Sequence, residues 1–165
     1  MNKLSIIILV AFTFLFTNCQ KEKFCSEGYT GPNCNEEITP LRISIDAIRV
    51  VRFPNRQPNG QHWDSLTRYP DLYINLYEER SERSVLNIDY EIEDVIGSVT
   101  FNKPVTFDYP GENYILRLMD ADPIGSQQVS AMLFKPHKVG ADFPSIINYQ
   151  TNDLEIEFIG VKYNF

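Results

Sequence analysis

The chain is poor in the residues that most often carry catalysis or hold a transition metal. In 165 residues it has 3 cysteines, 2 histidines and 1 tryptophan. It contains no Gly-x-Ser-x-Gly elbow, no His-Glu-x-x-His and no phosphate-cradling glycine-rich loop. The common signatures of serine hydrolases, zinc peptidases and nucleotide-binding enzymes are therefore missing. His62 stands near Asp64 and Ser65, but neighbours in one loop rarely reach triad geometry. The cysteines and the distant His62 and His137 offer no usable zinc spacing. Basic charge is also scarce. Fifteen Lys and Arg against 22 Asp and Glu give a net charge of -7, which repels a phosphate backbone and argues against nucleic acid. No segment keeps apolar residues at a 3.6-residue period, and no internal repeat is present. The expectation is a protein that is not an enzyme.

What is present is enough for a core. Hydrophobic residues make up 43% of the chain, with 11 Phe and 9 Tyr, and the length suits about one domain. The one long apolar run is Leu4 to Phe16, 13 residues behind a Met1-Asn2-Lys3 head. At 1.5 Å per residue it covers about two thirds of a bilayer's hydrocarbon core, so it reads as a signal peptide and not as a span. The run ends at Thr17-Asn18-Cys19. A cysteine there resembles the lipobox of bacterial lipoproteins, in which the thiol is acylated and becomes the first mature residue. The resemblance implies a signal peptide over residues 1–18, lipidation at Cys19, and a membrane anchor in the cell envelope, at the outer membrane. The alternative is an ordinary secreted chain with an unpaired Cys19. Removing residues 1–18 takes away one lysine and no acid, so the mature chain is still more acidic, which suits cations.

Export implies an oxidising compartment, and the two remaining thiols, Cys25 and Cys34, then imply one disulfide. Cys25-Ser-Glu-Gly28-Tyr29-Thr30-Gly31-Pro-Asn-Cys34 resembles the last loop of an EGF-like domain. The other cysteines of that module are absent, so only a hairpin stalk is implied, within a lipidated linker over residues 19–40.

From residue 41 to 165 the pattern is period two. Leu41, Ile43 and Ile45 alternate with polar residues, and then Ile48, Val50 and Val51 continue with the phase slipped, as at a β-bulge. Residues 54–70 form a long loop rich in Pro, Asn and Gly, which Trp63 is expected to pin and to offer to a partner. Leu72, Ile74 and Leu76 begin a strand at Asp71. A turn over 79–82, a strand through Leu86, Ile88, Tyr90 and Ile92, and short strands at 99–101 and 104–107 follow. Tyr114, Leu116 and Leu118 lead into Asp120-Ala121-Asp122. Further strands are expected at 128–134 and 154–165, with 135–150 irregular. Seven or eight such strands separated by turns predict an all-β antiparallel sandwich.

Leu41-Arg-Ile-Ser-Ile-Asp-Ala-Ile, Asp71-Leu-Tyr-Ile-Asn-Leu and Leu118-Met-Asp120-Ala-Asp122 resemble the opening strand, strand entry and third loop of C2-like domains. Those are calcium-dependent phospholipid-binding sandwiches. The resemblance implies a Ca²⁺ site on Asp71, Asp120 and Asp122, with Asp64 as a fourth ligand. Gln128 is neutral where the family has a later acid, and Leu72 stands in place of proline. The acids read equally as solvated Asx turns. Asp89, Glu91, Glu93 and Asp94 resemble a metal cluster but read more simply as the solvated face of a strand. Trp63, Tyr69, Tyr73 and Tyr77 read as packing residues, the alternative being an aromatic surface for sugars.

The function expected is a membrane-anchored binding module, calcium-dependent, for anionic lipid headgroups, a glycan or a surface protein. The alternatives are a metal-free accessory subunit of an envelope complex and a small hydrolase using His62.

Overall fold

A computed structural model describes residues 24–64, 67–88, 91–123 and 125–165. Residues 1–23, with the expected signal peptide and Cys19, and Ser65, Asp89 and Tyr90 lie outside them. The chain divides after Glu36 into a small N-terminal unit and a second unit, Glu37–Phe165. In the first, Cys25 and Cys34 are joined by a disulfide with Cα atoms 5.2 Å apart. Its closed ring carries β1 (Tyr29–Thr30), which pairs with β2 (Glu36–Glu37). Gly31 sits at φ +84°, where a side chain would strain the backbone and strike Glu36.

The second unit is built where apolar residues recur at alternate positions, each strand burying one side. One layer has the order β10-β9-β5-β6, from β5 (Leu72–Glu78), β6 (Ser84–Asn87), β9 (Tyr114–Asp122) and β10 (Gly125–Phe134). The other combines two sheets that chain continuity makes into one broken layer. Its parts are β3 (Arg42–Ile45) with β4 (Ala47–Arg52), β7 (Val99–Phe101) with β8 (Val105–Phe107), β12 (Glu155–Ile159) with β13 (Lys162–Asn164), and β11 (Ile146–Gln150). The described residues thus form an antiparallel all-β sandwich of four strands on four.

The break in the second layer runs across three neighbouring strands at one level. Asp46 separates β3 from β4, Gly160-Val161 separates β12 from β13, and Asn102-Lys103-Pro104 separates β7 from β8. Register puts these interruptions side by side: Ala47 faces Ile159 and Ser44 faces Lys162, while Ile45 faces Val105 and Ile48 faces Phe101. Lys162 closes the kink by donating to Asp46 at 2.7 Å. Gly160 is at φ +68°, and a Cβ there would run into the Asp46 carboxylate. The phase slip after Ile45 falls at this break, where the chain passes from one sheet to another and not through a bulge within one strand.

The core lies between the layers. Ile43, Ile48, Leu72, Ile74, Leu76, Leu116, Leu118 and Phe158 are fully buried. Phe107, Tyr114, Phe134, Tyr149 and Phe158 interlock around Phe134 in a mixture of edge-to-face, stacked and tilted pairs, with centroids 5.0 to 6.1 Å apart. The chain enters at Glu37, whose carboxylate accepts from the Gly140 N–H at 2.5 Å and lies 3.3 Å from His137 Nε2, both side chains being buried. It then runs the length of the sandwich through β3 and β4 before the 53–71 loop begins.

Three expectations change. Among the described residues the strand through Leu86 to Ile92 is shorter: β6 stops at Asn87, the Ile88 N–H still donates to Ile74 O at 3.2 Å, and Ile92 bridges Leu72. Residues 135–150 are not wholly irregular, because β11 starts two residues after Pro144. As an edge strand pairing only with β12, it tolerates a proline at its mouth. Trp63 is buried to 4% exposure and donates its indole N–H to Pro54 O at 2.9 Å. It pins the loop as expected, but burial removes it from the residues that a partner would touch.

Candidate functional site

The rim of the sandwich where β4 ends, β5 begins and β9 ends gathers five aspartates on four segments. Phe53 and Asn55 at the start of the long loop line one cleft with Pro70 and Val95, so both ends of that loop lie at this rim. Asp64 comes from the loop, Asp71 from the mouth of β5, Asp94 from the turn after the Ile92 bridge, and Asp120 and Asp122 from the last residues of β9.

Asp71 is the hub. Its N–H donates to Asp120 Oδ1 at 2.8 Å, its carbonyl accepts from the Ala121 N–H at 2.8 Å, and its carboxylate accepts from the Asp94 N–H at 2.8 Å. The last bond holds Asp94 in the left-handed region at φ 51°. Asp64, Asp71 and Asp94 each offer a carboxylate oxygen within 4.8 Å of the other two. Two oxygens on one Ca²⁺, each at 2.3–2.6 Å, lie no more than about 5 Å apart, so the three fit a single ion. Thr67 donates to Asp64 at 3.4 Å, and Gln127 donates to Asp122 at 3.1 Å. Among the described residues none of the five pairs with Lys or Arg.

Asp120 is the outlier of the group. It is completely buried, and its Oδ2 has no hydrogen-bond partner among the described residues. Burial first, and then the charges of Asp122, Asp64 and Asp71, push its carboxyl up to about 6, against the opposing hydrogen bond from the Asp71 N–H. Asp64 is raised too, by burial and then by Asp71 and Asp122, with the Thr67 hydroxyl opposing. A buried acceptor without a donor, held in a field of its own sign, is costly unless a cation neutralises it. The donor set is all oxygen, which suits a hard cation.

The sequence therefore named Asp64, Asp71, Asp120 and Asp122, and the fold brings these to one rim. Asp122 lies close enough to raise the pKa of its neighbours but outside the tight triple. Asp94 was missed. Its run of acids reads as a strand face, and only the early end of β6 turns it toward Asp71. His62 makes no hydrogen bond with Asp64 among the described residues. Its imidazole is pushed below the ordinary value by desolvation and then by Arg56 and Arg68.

No family model matches the chain, and no curated protein is similar to it. Two solved structures of human GIVD cytosolic phospholipase A2 resemble it weakly. The one in complex with methyl gamma-linolenyl fluorophosphonate gives a TM-score of 0.47 at 14% identity, over 73% of this chain and 17% of that one. The one in complex with that inhibitor and terbium chloride gives 0.49 at 15% identity, over 76% and 18%. This chain spans less than a fifth of their length. So slight a likeness bears no argument about function.

Proposed function

We propose that the second unit is a non-catalytic binding module that takes a calcium-type cation at the aspartate rim and uses it to bridge an anionic partner. The observation that carries this reading is the buried Oδ2 of Asp120, without a hydrogen-bond partner among the described residues, beside a carboxylate triple that no described basic side chain pairs with. Asp64, Asp71 and Asp94 would hold the ion. Asp120 would complete the set by losing the proton that its surroundings favour, and Asp122 would add charge from the exit of β9. The C2-like pattern in the sequence supports the same assignment, and so does the all-β sandwich. The N-terminal run ending at Cys19 supports a lipoprotein displayed on a membrane, with headgroups, glycans or a surface protein within reach of the rim.

The deciding experiment is a thermal melt and calorimetric titration of the full chain, first in chelator and then in rising Ca²⁺. A single native-state site filled to a hundred times its dissociation constant adds about 2.7 kcal/mol, which raises the melting temperature by about 10 °C. The reading expects a rise of that order, lost in Asp120→Asn. No shift up to millimolar Ca²⁺ or Mg²⁺ would overturn it.

A further inference from the structure

The outer face of the β10-β9-β5-β6 layer carries a second cluster of polar side chains that the aspartate rim does not use. Tyr73 and Asn75 point outward from β5, because Leu72, Ile74 and Leu76 point into the core. Asn87 on β6 is the register partner of Asn75. These three line an open cleft of about 360 Å³ together with Glu91 and Ser126. Lys103 donates to the backbone carbonyl of Asn87 at 3.1 Å, which fixes its backbone and leaves the amide for other use. Among the described residues the side chains of Tyr73, Asn75, Asn87, Glu91 and Ser126 make no hydrogen bond.

We propose that this cleft is a carbohydrate-binding site for a neutral glycan, independent of the cation rim. Two amides, a carboxylate and two hydroxyls supply donors and acceptors of both kinds around a space of ligand size. A ligand dense in hydroxyls satisfies such a mixed set, since each sugar hydroxyl both donates and accepts. The Tyr73 hydroxyl is both a donor and an acceptor in this set. An extended peptide fits less well, because it is captured through the free backbone of an edge strand. Here the β5 backbone is already paired on both sides, so a peptide added as a strand would lie along the outer edge of β6 and not over Tyr73 and Asn75. An anionic ligand would meet Glu91, the acid that lines the cleft among the described residues.

The test uses the full chain in chelator. Laminarin, mannan, xylan and hydroxyethyl cellulose are cast into native gels, and glucose, mannose, galactose and N-acetylglucosamine are screened by saturation-transfer NMR. At least one polysaccharide is expected to retard the protein, with the matching monosaccharide giving transfer to its ring protons. Asn87→Ala and Tyr73→Ala should each weaken that binding at least tenfold, while Leu133→Ser, on the same face but outside the cleft, should not change it. The melting curves confirm that each variant is folded. Silence across the whole panel would overturn the proposal, and so would binding that both cleft variants retain. Binding that appears only with Ca²⁺ and is lost in Asp120→Asn would move the glycan to the rim and overturn it as well.

Discussion

At the scale of single residues, Asp120 sets two effects against each other. Its folded-state pKa of about 6 lies above the ordinary value of 3.8. The stability it contributes is therefore fully present below about pH 4 and lost as the pH rises through 6, a difference of about 3 kcal/mol between those limits. In chelator, Asp120→Asn should raise the melting temperature at pH 7.5 by several degrees and flatten the loss between pH 4 and 6. The asparagine keeps an oxygen for the Asp71 N–H and carries no charge to bury. In saturating Ca²⁺ the order should reverse, with the natural protein the more stable. A variant that melts lower by the same margin in both buffers would show Asp120 to be a packing residue only. Asp94→Asn makes the complementary case. It is exposed, so the cation-free melt should stay within about 0.5 kcal/mol of the natural protein. Calorimetry should meanwhile show Ca²⁺ affinity down tenfold or more. Asp94 also marks what a sequence hides. Asp71 and Asp120 announce themselves by standing at the ends of alternating runs, whereas Asp94 enters the site through a turn whose position depends on where β6 stops.

At the scale of elements, the period-two runs of β5 and β9 are visible in the sequence, because burying one side of a strand leaves a direct trace. The phase slip after Ile45 is visible for the same reason. Its alignment with Gly160 and with residues 102–104 is not, since cross-strand register is a long-range property that local pattern does not record. The short β11 was hidden by Pro144 and by an edge position that buries little. The kink can be tested directly. Gly160→Ala places a Cβ against the Asp46 carboxylate at a positive φ, and denaturant unfolding should show a loss of about 2 kcal/mol or more. Adding Asp46→Ala should restore part of that loss, because the collision goes while the backbone strain stays. The 53–71 loop rests on another buried contact. Trp63→Ala empties a core position and strands the Pro54 carbonyl, at a cost of about 3–5 kcal/mol in urea melts. It should also lower Ca²⁺ affinity, since Asp64 follows in the chain directly.

At the scale of the whole molecule, the assignment to a membrane rests on residues 1–19 alone. Cells fed a radiolabelled fatty acid should label the protein, and Cys19→Ala should abolish the label and release the chain from the membrane fraction. Label that survives the substitution would contradict lipidation at Cys19. Within the sandwich, the run from Leu41 to Phe53 has a directional consequence. Twelve residues at about 3.3 Å each carry the chain some 35–40 Å before the loop of the aspartate rim begins. The entrance to the domain and its charged rim are therefore opposite poles of one body. Within this unit the segment that leads the chain in and the carboxylates of the rim are thus held apart by the full run of β3 and β4.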